Sequence, residues 1–148
     1  MSNGSMALSD SFFSFFCSNV KEGSTILEFG SGAGTKRLVE NGFIVYSIEE
    51  NERFVGNHHD NYYHAKIINN WYDLSVVKTA LNEIDYDVIL IDGPAGGDRR
   101  GFNQIYHLVK ENTPLFVDDI ERKQDRELFE SLCVGREFED KKYYGLIK

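Results

Sequence analysis

Apolar positions along the chain come in short blocks separated by polar turns. After Ser9, a good helix N-cap, Leu8, Phe12, Phe15 and Phe16 share one face at three- and four-residue spacings, which predicts a helix to about Asn19 with Phe13 off the stripe. Thr25 to Phe29 reads as a buried strand, and Lys36 to Asn41 as a helix closed by Gly42. A second strand spans Phe43 to Ile48 and ends in Glu49-Glu50. A turn or short helix (Asn51 to Gly56) and a polar loop lead to a strand from Tyr62 to Asn69, followed by a helix from about Tyr72 to Glu83. Tyr86 to Ile91 carries four consecutive aliphatics, the pattern of a central strand covered on both faces. Beyond a long glycine-rich loop, the pattern predicts a helix over Phe102 to Glu111, a strand over Pro114 to Val117 and a helix over Glu121 to Cys133. A closing antiparallel pair is formed by Glu137 to Glu139 and Tyr143 to Ile147.

Strands and helices in alternation give an α/β chain with a doubly wound sheet of about seven strands, mostly parallel with a final antiparallel hairpin. Ligands of such sheets bind outside the carboxyl ends of the strands. The sequence marks that edge at Glu28-Phe29-Gly30-Ser31-Gly32-Ala33-Gly34-Thr35, where an apolar strand ends in three alternating glycines before a helix. Glycines allow a positive φ and close approach of a ligand, and the helix start offers unpaired N–H groups. A dinucleotide fingerprint, G-x-G-x-x-G, would need glycine where Thr35 stands.

The acid-x-G-x-G-x-G pattern instead resembles that of the class I S-adenosylmethionine-dependent methyltransferases, and implies their Rossmann-like fold. The resemblance implies that the loop, with Gly30, Ser31, Gly32, Gly34 and Thr35, wraps the methionine end of S-adenosyl-L-methionine and that Glu28 helps to hold its amino group. It also implies that a carboxylate ending the second strand takes the ribose hydroxyls, with Glu49 favoured and Glu50 as the fallback; a carboxylate is a pure acceptor suited to a diol. The adenine would lie against Trp71 with Asn70 as a polar contact, although Trp71 packing under the following helix is an equal reading.

At 148 residues the chain is one domain. Its first residues, 1–7, are small and polar and read as a disordered or expression-derived start. A net charge of −8 argues against nucleic acid and anionic membranes as partners, since both call for clustered Lys and Arg. Two cysteines suit a reducing compartment, and with neither a membrane-length apolar run nor a basic leader the expectation is a cytoplasmic protein.

Glu28, Glu49, Asp92, Asp118 and Asp119 all fall near one sheet edge, where their repulsion calls for positive charge. Asp92 with Asp118-Asp119 resembles the metal triad of metal-dependent O-methyltransferases, and such oxygen ligands suit Mg²⁺. The competing reading makes Asp118 a helix cap and Asp119 a solvated residue. Ile91 to Gly96, Ile105-Tyr106 and Phe116 to Arg122 further resemble plant glucuronoxylan O-methyltransferases. Through that likeness Arg99 or Arg100 would pair with a substrate carboxylate, unless both are simply solvated.

The reading is a methyltransferase acting on the oxygen of a sugar or another small hydroxylated acceptor, with Asp92 as base or metal ligand and Arg99 beside it. A module that binds S-adenosylmethionine without catalysis, or a partner subunit, is the alternative; sulfonium cleavage is a further one. With no insertion large enough to cover a substrate, a cap would come from the first helix, the 93–101 loop or a second copy of the chain in a homo-oligomer.

Overall fold

The computed structural model describes residues 8–148, so the expectation for residues 1–7 lies outside the described residues. Helix α1 (Asp10–Asn19) starts where Ser9 Oγ accepts the Phe12 N–H at 3.0 Å. Strand β1 (Thr25–Phe29), helix α2 (Ala33–Glu40) and strand β2 (Ile44–Glu49) follow. Next come β3 (Tyr62–His64), the two-residue strands β4 (Ile67–Ile68) and β5 (Trp71–Tyr72), helix α3 (Leu74–Glu83) and β6 (Val88–Ile91). Two 3₁₀ segments (Arg99–Gln104 and Tyr106–Leu108), β7 (Leu115–Asp118), α4 (Lys123–Leu132), β8 (Phe138–Asp140) and β9 (Tyr144–Ile147) complete the chain.

Seven strands form one sheet in the order β3-β2-β1-β6-β7-β9-β8, with β9 antiparallel to both neighbours. The predicted doubly wound, mostly parallel sheet with a closing hairpin is therefore present. Strand β6 shows why its run is wholly apolar: Val88 and Leu90 face α1 and α2, while Ile89 and Ile91 face α3 and α4. Register then sets the functional edge. Phe29 lies opposite Ile48 and Ile91, and Ile91 opposite Val117, so Gly30, Glu49, Asp92 and Asp118 emerge side by side.

Several predicted elements differ. Helix α2 starts at Ala33 rather than Lys36, because the chain turns helical directly after Gly32. Phe13 is buried, with the Arg37 guanidinium 4.1 Å above its ring, so the aromatic face of α1 is wider than one stripe. The strand expected over Tyr62 to Asn69 breaks after His64. Asn69 and Asn70 take left-handed φ values of 54° and 71° and close a hairpin of β4 on β5, a conformation asparagine tolerates better than most residues. The helix expected over Phe102 to Glu111 is instead 3₁₀. Phe102 and Ile105 are both fully buried three residues apart, and the N–H groups of Ile105 and Leu108 each bond three residues back. Among the described residues no helix is long and apolar enough to cross a membrane.

Candidate functional site

Gly30 leaves β1 with φ +96°, and a Cβ there would stand 2.6 Å from the Asp92 carbonyl oxygen. Only glycine lets the β1 and β6 ends close together in this way. Between them and the end of β2 lies a pocket of about 380 Å³ whose wall includes Gly30, Ser31, Glu49, Glu50, Phe54 and Asp92.

Glu49 is 5% exposed, and its carboxylate accepts the Ser31 N–H and the Asn51 N–H, each at 2.7 Å. Burial pushes its pKa up, and the two amide donors partly offset this. It thus pins the glycine loop to the end of β2 while facing the pocket. Glu50 accepts the Gly96 N–H at 2.8 Å, tying the loop after β6 to the same wall.

Glu28 is placed differently from the expectation. Strand alternation turns it under the loop and away from the pocket wall, where its Oε2 accepts hydroxyl protons from Thr35 at 2.6 Å and Ser47 at 2.5 Å. Burial raises its pKa to about 7. Thr35 also accepts the Gly32 N–H, and Ser31 Oγ lies 2.7 Å from the Tyr62 hydroxyl, so Glu28, Ser31, Thr35 and Ser47 form a polar layer supporting the loop. His59 closes that layer. Its Nδ1 accepts the Asn61 N–H, leaving Nε2 to donate to Ser47 Oγ at 2.8 Å, and burial lowers its pKa to about 4, so the ring is neutral. Gly34 is also a packing position: a Cβ there would meet Leu8 Cγ at 2.7 Å. Of the loop residues expected to touch a cofactor, Gly30 and Ser31 face the pocket, and Gly32, Gly34 and Thr35 build the turn beneath it.

Trp71 follows the packing reading rather than the adenine one, and Asn70 sits in a turn. The β4–β5 hairpin turns Trp71 into the core, 2% exposed, where its ring stacks on Phe29 at 6.0 Å and lies under Gly101. Asn70 is the turn residue, and its carbonyl accepts the Asp98 N–H at 2.8 Å. The neighbouring Tyr72, which the sequence did not single out, reaches the pocket instead, as does Phe54.

Asp92, Asp118 and Asp119 do converge, with one carboxylate oxygen from each within 4.8 Å of the others. Positive charge is supplied by the chain itself. The buried Arg99 guanidinium lies 2.9 Å from Asp119 Oδ2, 3.5 Å from Asp92 Oδ1 and 3.8 Å from Asp125 Oδ1. Arg122 reaches Asp119 at 3.2 Å and Asp125 at 2.7 Å. All three nitrogens of the Arg99 guanidinium thus face acids of the fold, which compete with any substrate carboxylate for it. Arg100 is likewise engaged, at 2.6 Å from both Asp98 and Glu127. Burial first, and then neighbouring acids (Asp119 and Glu28 for Asp92, Asp92 and Asp119 for Asp118), raise both pKa values despite Arg99. Asp118 also accepts the Asp119 N–H at 2.8 Å rather than capping α4, whose N-cap position is Arg122. The hard oxygen donors of Asp92 and Asp118 fit a divalent ion such as Mg²⁺, with Asp119 already held by two arginines.

No protein-family profile matches the sequence, and no curated protein does. Solved structures do share its fold. The MycE methyltransferase of the mycinamycin biosynthetic pathway, in complex with Mg and SAH, superposes with a TM-score of 0.64 at 13% identity, covering 93% of this chain. This chain spans 44% of that one. A precorrin-6y C5,15-methyltransferase from Geobacter metallireducens gives 0.63 at 13% identity, over 96% of this chain and 88% of the other. A TehB-like SAM-dependent methyltransferase from Corynebacterium glutamicum gives 0.53 at 16%, over 90% and 83%. At these identities the likeness is one of fold.

Proposed function

We propose, for a chain with the fold of the class I S-adenosylmethionine-dependent methyltransferases, that it transfers the methyl group of S-adenosyl-L-methionine to an oxygen of a small hydroxylated acceptor, a saccharide being the favoured class. The observation that carries this reading is a single pocket in which the Gly30-Ser31 turn, the Glu49 carboxylate and Asp92 meet. Glu49 would accept from the ribose hydroxyls through lone pairs its two amide bonds leave free. The acidic wall of Glu49, Glu50 and Asp92 favours a cationic sulfonium over a neutral ligand.

In the transfer, the acceptor oxygen forms a bond to the methyl carbon as the carbon–sulfur bond breaks, and the sulfur keeps the electron pair. Asp92 takes the hydroxyl proton; its raised pKa brings it nearer neutrality, where a base works best. Arg99 fixes the Asp92 carboxylate and takes no proton itself. In the alternative role, as a metal ligand rather than the base, Asp92 with Asp118 would hold Mg²⁺, which would lower the pKa of a hydroxyl bound to it.

Arg99 among the acids favours a second reading, since a chain that neutralises its own carboxylates can bind the cofactor without metal or transfer. Calorimetric titration with S-adenosylmethionine and with its demethylated product, each with and without Mg²⁺, separates the readings. Binding strengthened by Mg²⁺, followed by methyl transfer to sugars or phenols, is the expected result. Metal-independent binding without transfer to any acceptor would favour the binding module, and no binding of either ligand would overturn both.

A further inference from the structure

Tyr72 belongs to no part of the machinery described so far, and its surroundings single it out. The side chain is 1% exposed, yet it forms part of the pocket wall. Its hydroxyl is fully buried and has no hydrogen-bond partner among the described residues. A buried phenol normally finds one, because leaving it unpaired opposes folding where phenylalanine would not.

The tip of the ring fills a gap that two glycines leave open. A Cβ on Gly93 would stand 2.4 Å from the Tyr72 oxygen, and the same point lies 3.0 Å from Gly30 Cα. The hydroxyl therefore sits where the glycine turn meets the end of β6, next to the proposed base. Charges from Glu49, Glu50, Arg99 and Asp92 all act on it, and burial first, then the carboxylates, raise its pKa well above 10. It is a neutral phenol with a proton to donate. Trp71 Nε1, another buried polar atom without a partner among the described residues, lies outside the pocket wall and carries no such reading.

We infer that Tyr72 is a ligand-positioning residue whose hydroxyl donates a hydrogen bond to the S-adenosyl ligand between Gly30 and Asp92. This rests on the function proposed above. It also explains why the polar ring stands here: the bond missing inside the protein is made to the ligand.

The test compares wild type with Tyr72→Phe, which removes one oxygen and keeps the ring. Calorimetric titration with S-adenosylmethionine and with S-adenosylhomocysteine is expected to show about tenfold weaker binding of both, the effect of one lost hydrogen bond. Ligand-free Tyr72→Phe is expected to melt at or above the wild-type temperature. Affinities within twofold of wild type would overturn the inference and leave the proposed function standing. A lower melting temperature of the ligand-free variant would also overturn it, by showing that the hydroxyl serves the fold. Wild type binding neither ligand would remove the proposed function and this inference with it.

Discussion

Replacing Glu28 by glutamine tests how the glycine loop is supported, without reference to any ligand. Glu28 is 2% exposed and bonded to two hydroxyls, which a neutral carboxyl or its amide analogue satisfies without burying charge. Its pKa rises from the ordinary 4.5 to about 7, so between those values the folded protein keeps a proton that the unfolded chain has released. The contribution is fully present below pH 4.5 and is lost as pH climbs through 7, so stability falls with rising pH. At about 1.4 kcal/mol per unit, the displacement amounts to about 3 kcal/mol by pH 8. Glutamine has no proton to lose. Glu28→Gln should match wild type near pH 4.5 and gain on it by about 3 kcal/mol at pH 8, about 10 °C in melting temperature for a domain of this size. Urea unfolding followed by circular dichroism across pH 4.5 to 8 measures the difference. A gap that stays constant with pH, or that favours wild type at pH 8, would refute the reasoning, because Glu28 would then be ionised in the fold throughout.

Gly30→Ala places a methyl 2.6 Å from the Asp92 carbonyl oxygen at φ +96°; it should destabilise by more than about 2 kcal/mol in urea unfolding and abolish ligand binding in whatever fraction stays folded. Arg99→Ala leaves Asp92, Asp119 and Asp125 without their shared guanidinium and should lose about 3 kcal/mol by chemical denaturation, with Arg99→Lys recovering part; a loss under about 1 kcal/mol would mean the cluster is already solvated. Asp92→Asn should lower methyl-transfer turnover at least about 100-fold while changing S-adenosylmethionine affinity less than about threefold, and the reverse pattern in paired kinetic and titration experiments would remove it as the base.

Much of this arrangement is legible in the sequence because local and global signals agree. The β-branched run Thr25 to Phe29 breaking into glycines, the four aliphatics of β6 and the Ser9-capped aromatic helix each have a period or punctuation found in one element type only. Convergence of Glu49, Asp92 and Asp118 follows from strand ends and a parallel register. Missed features depend on contacts between distant residues. Asn69-Asn70 lacks the glycine that usually marks a tight hairpin, so the β4–β5 turn and the inward swing of Trp71 are hidden. Phe102, Ile105 and Val109 suit an α-helix as well as a 3₁₀ one, and burial under α4 decides between them. That Arg99 would be enclosed by three aspartates, and that Glu28 would face down into a layer of hydroxyls, depends on how loops fold back over the sheet, which no spacing encodes.

Strand β9 lies inside the sheet, between β7 and β8, and Tyr144 at its start stacks on Phe12 of α1 at 4.7 Å and bonds Ser11 through its hydroxyl. During synthesis, then, β7 has no neighbour on one flank, and Phe12 of α1 lacks its stacking partner, until residues 144–147 have left the ribosome. A nascent chain halted before Tyr144 would present Phe12, Phe116 and an open strand edge to holdase chaperones. Resistance to protease should rise in one step once residues 144–147 have emerged.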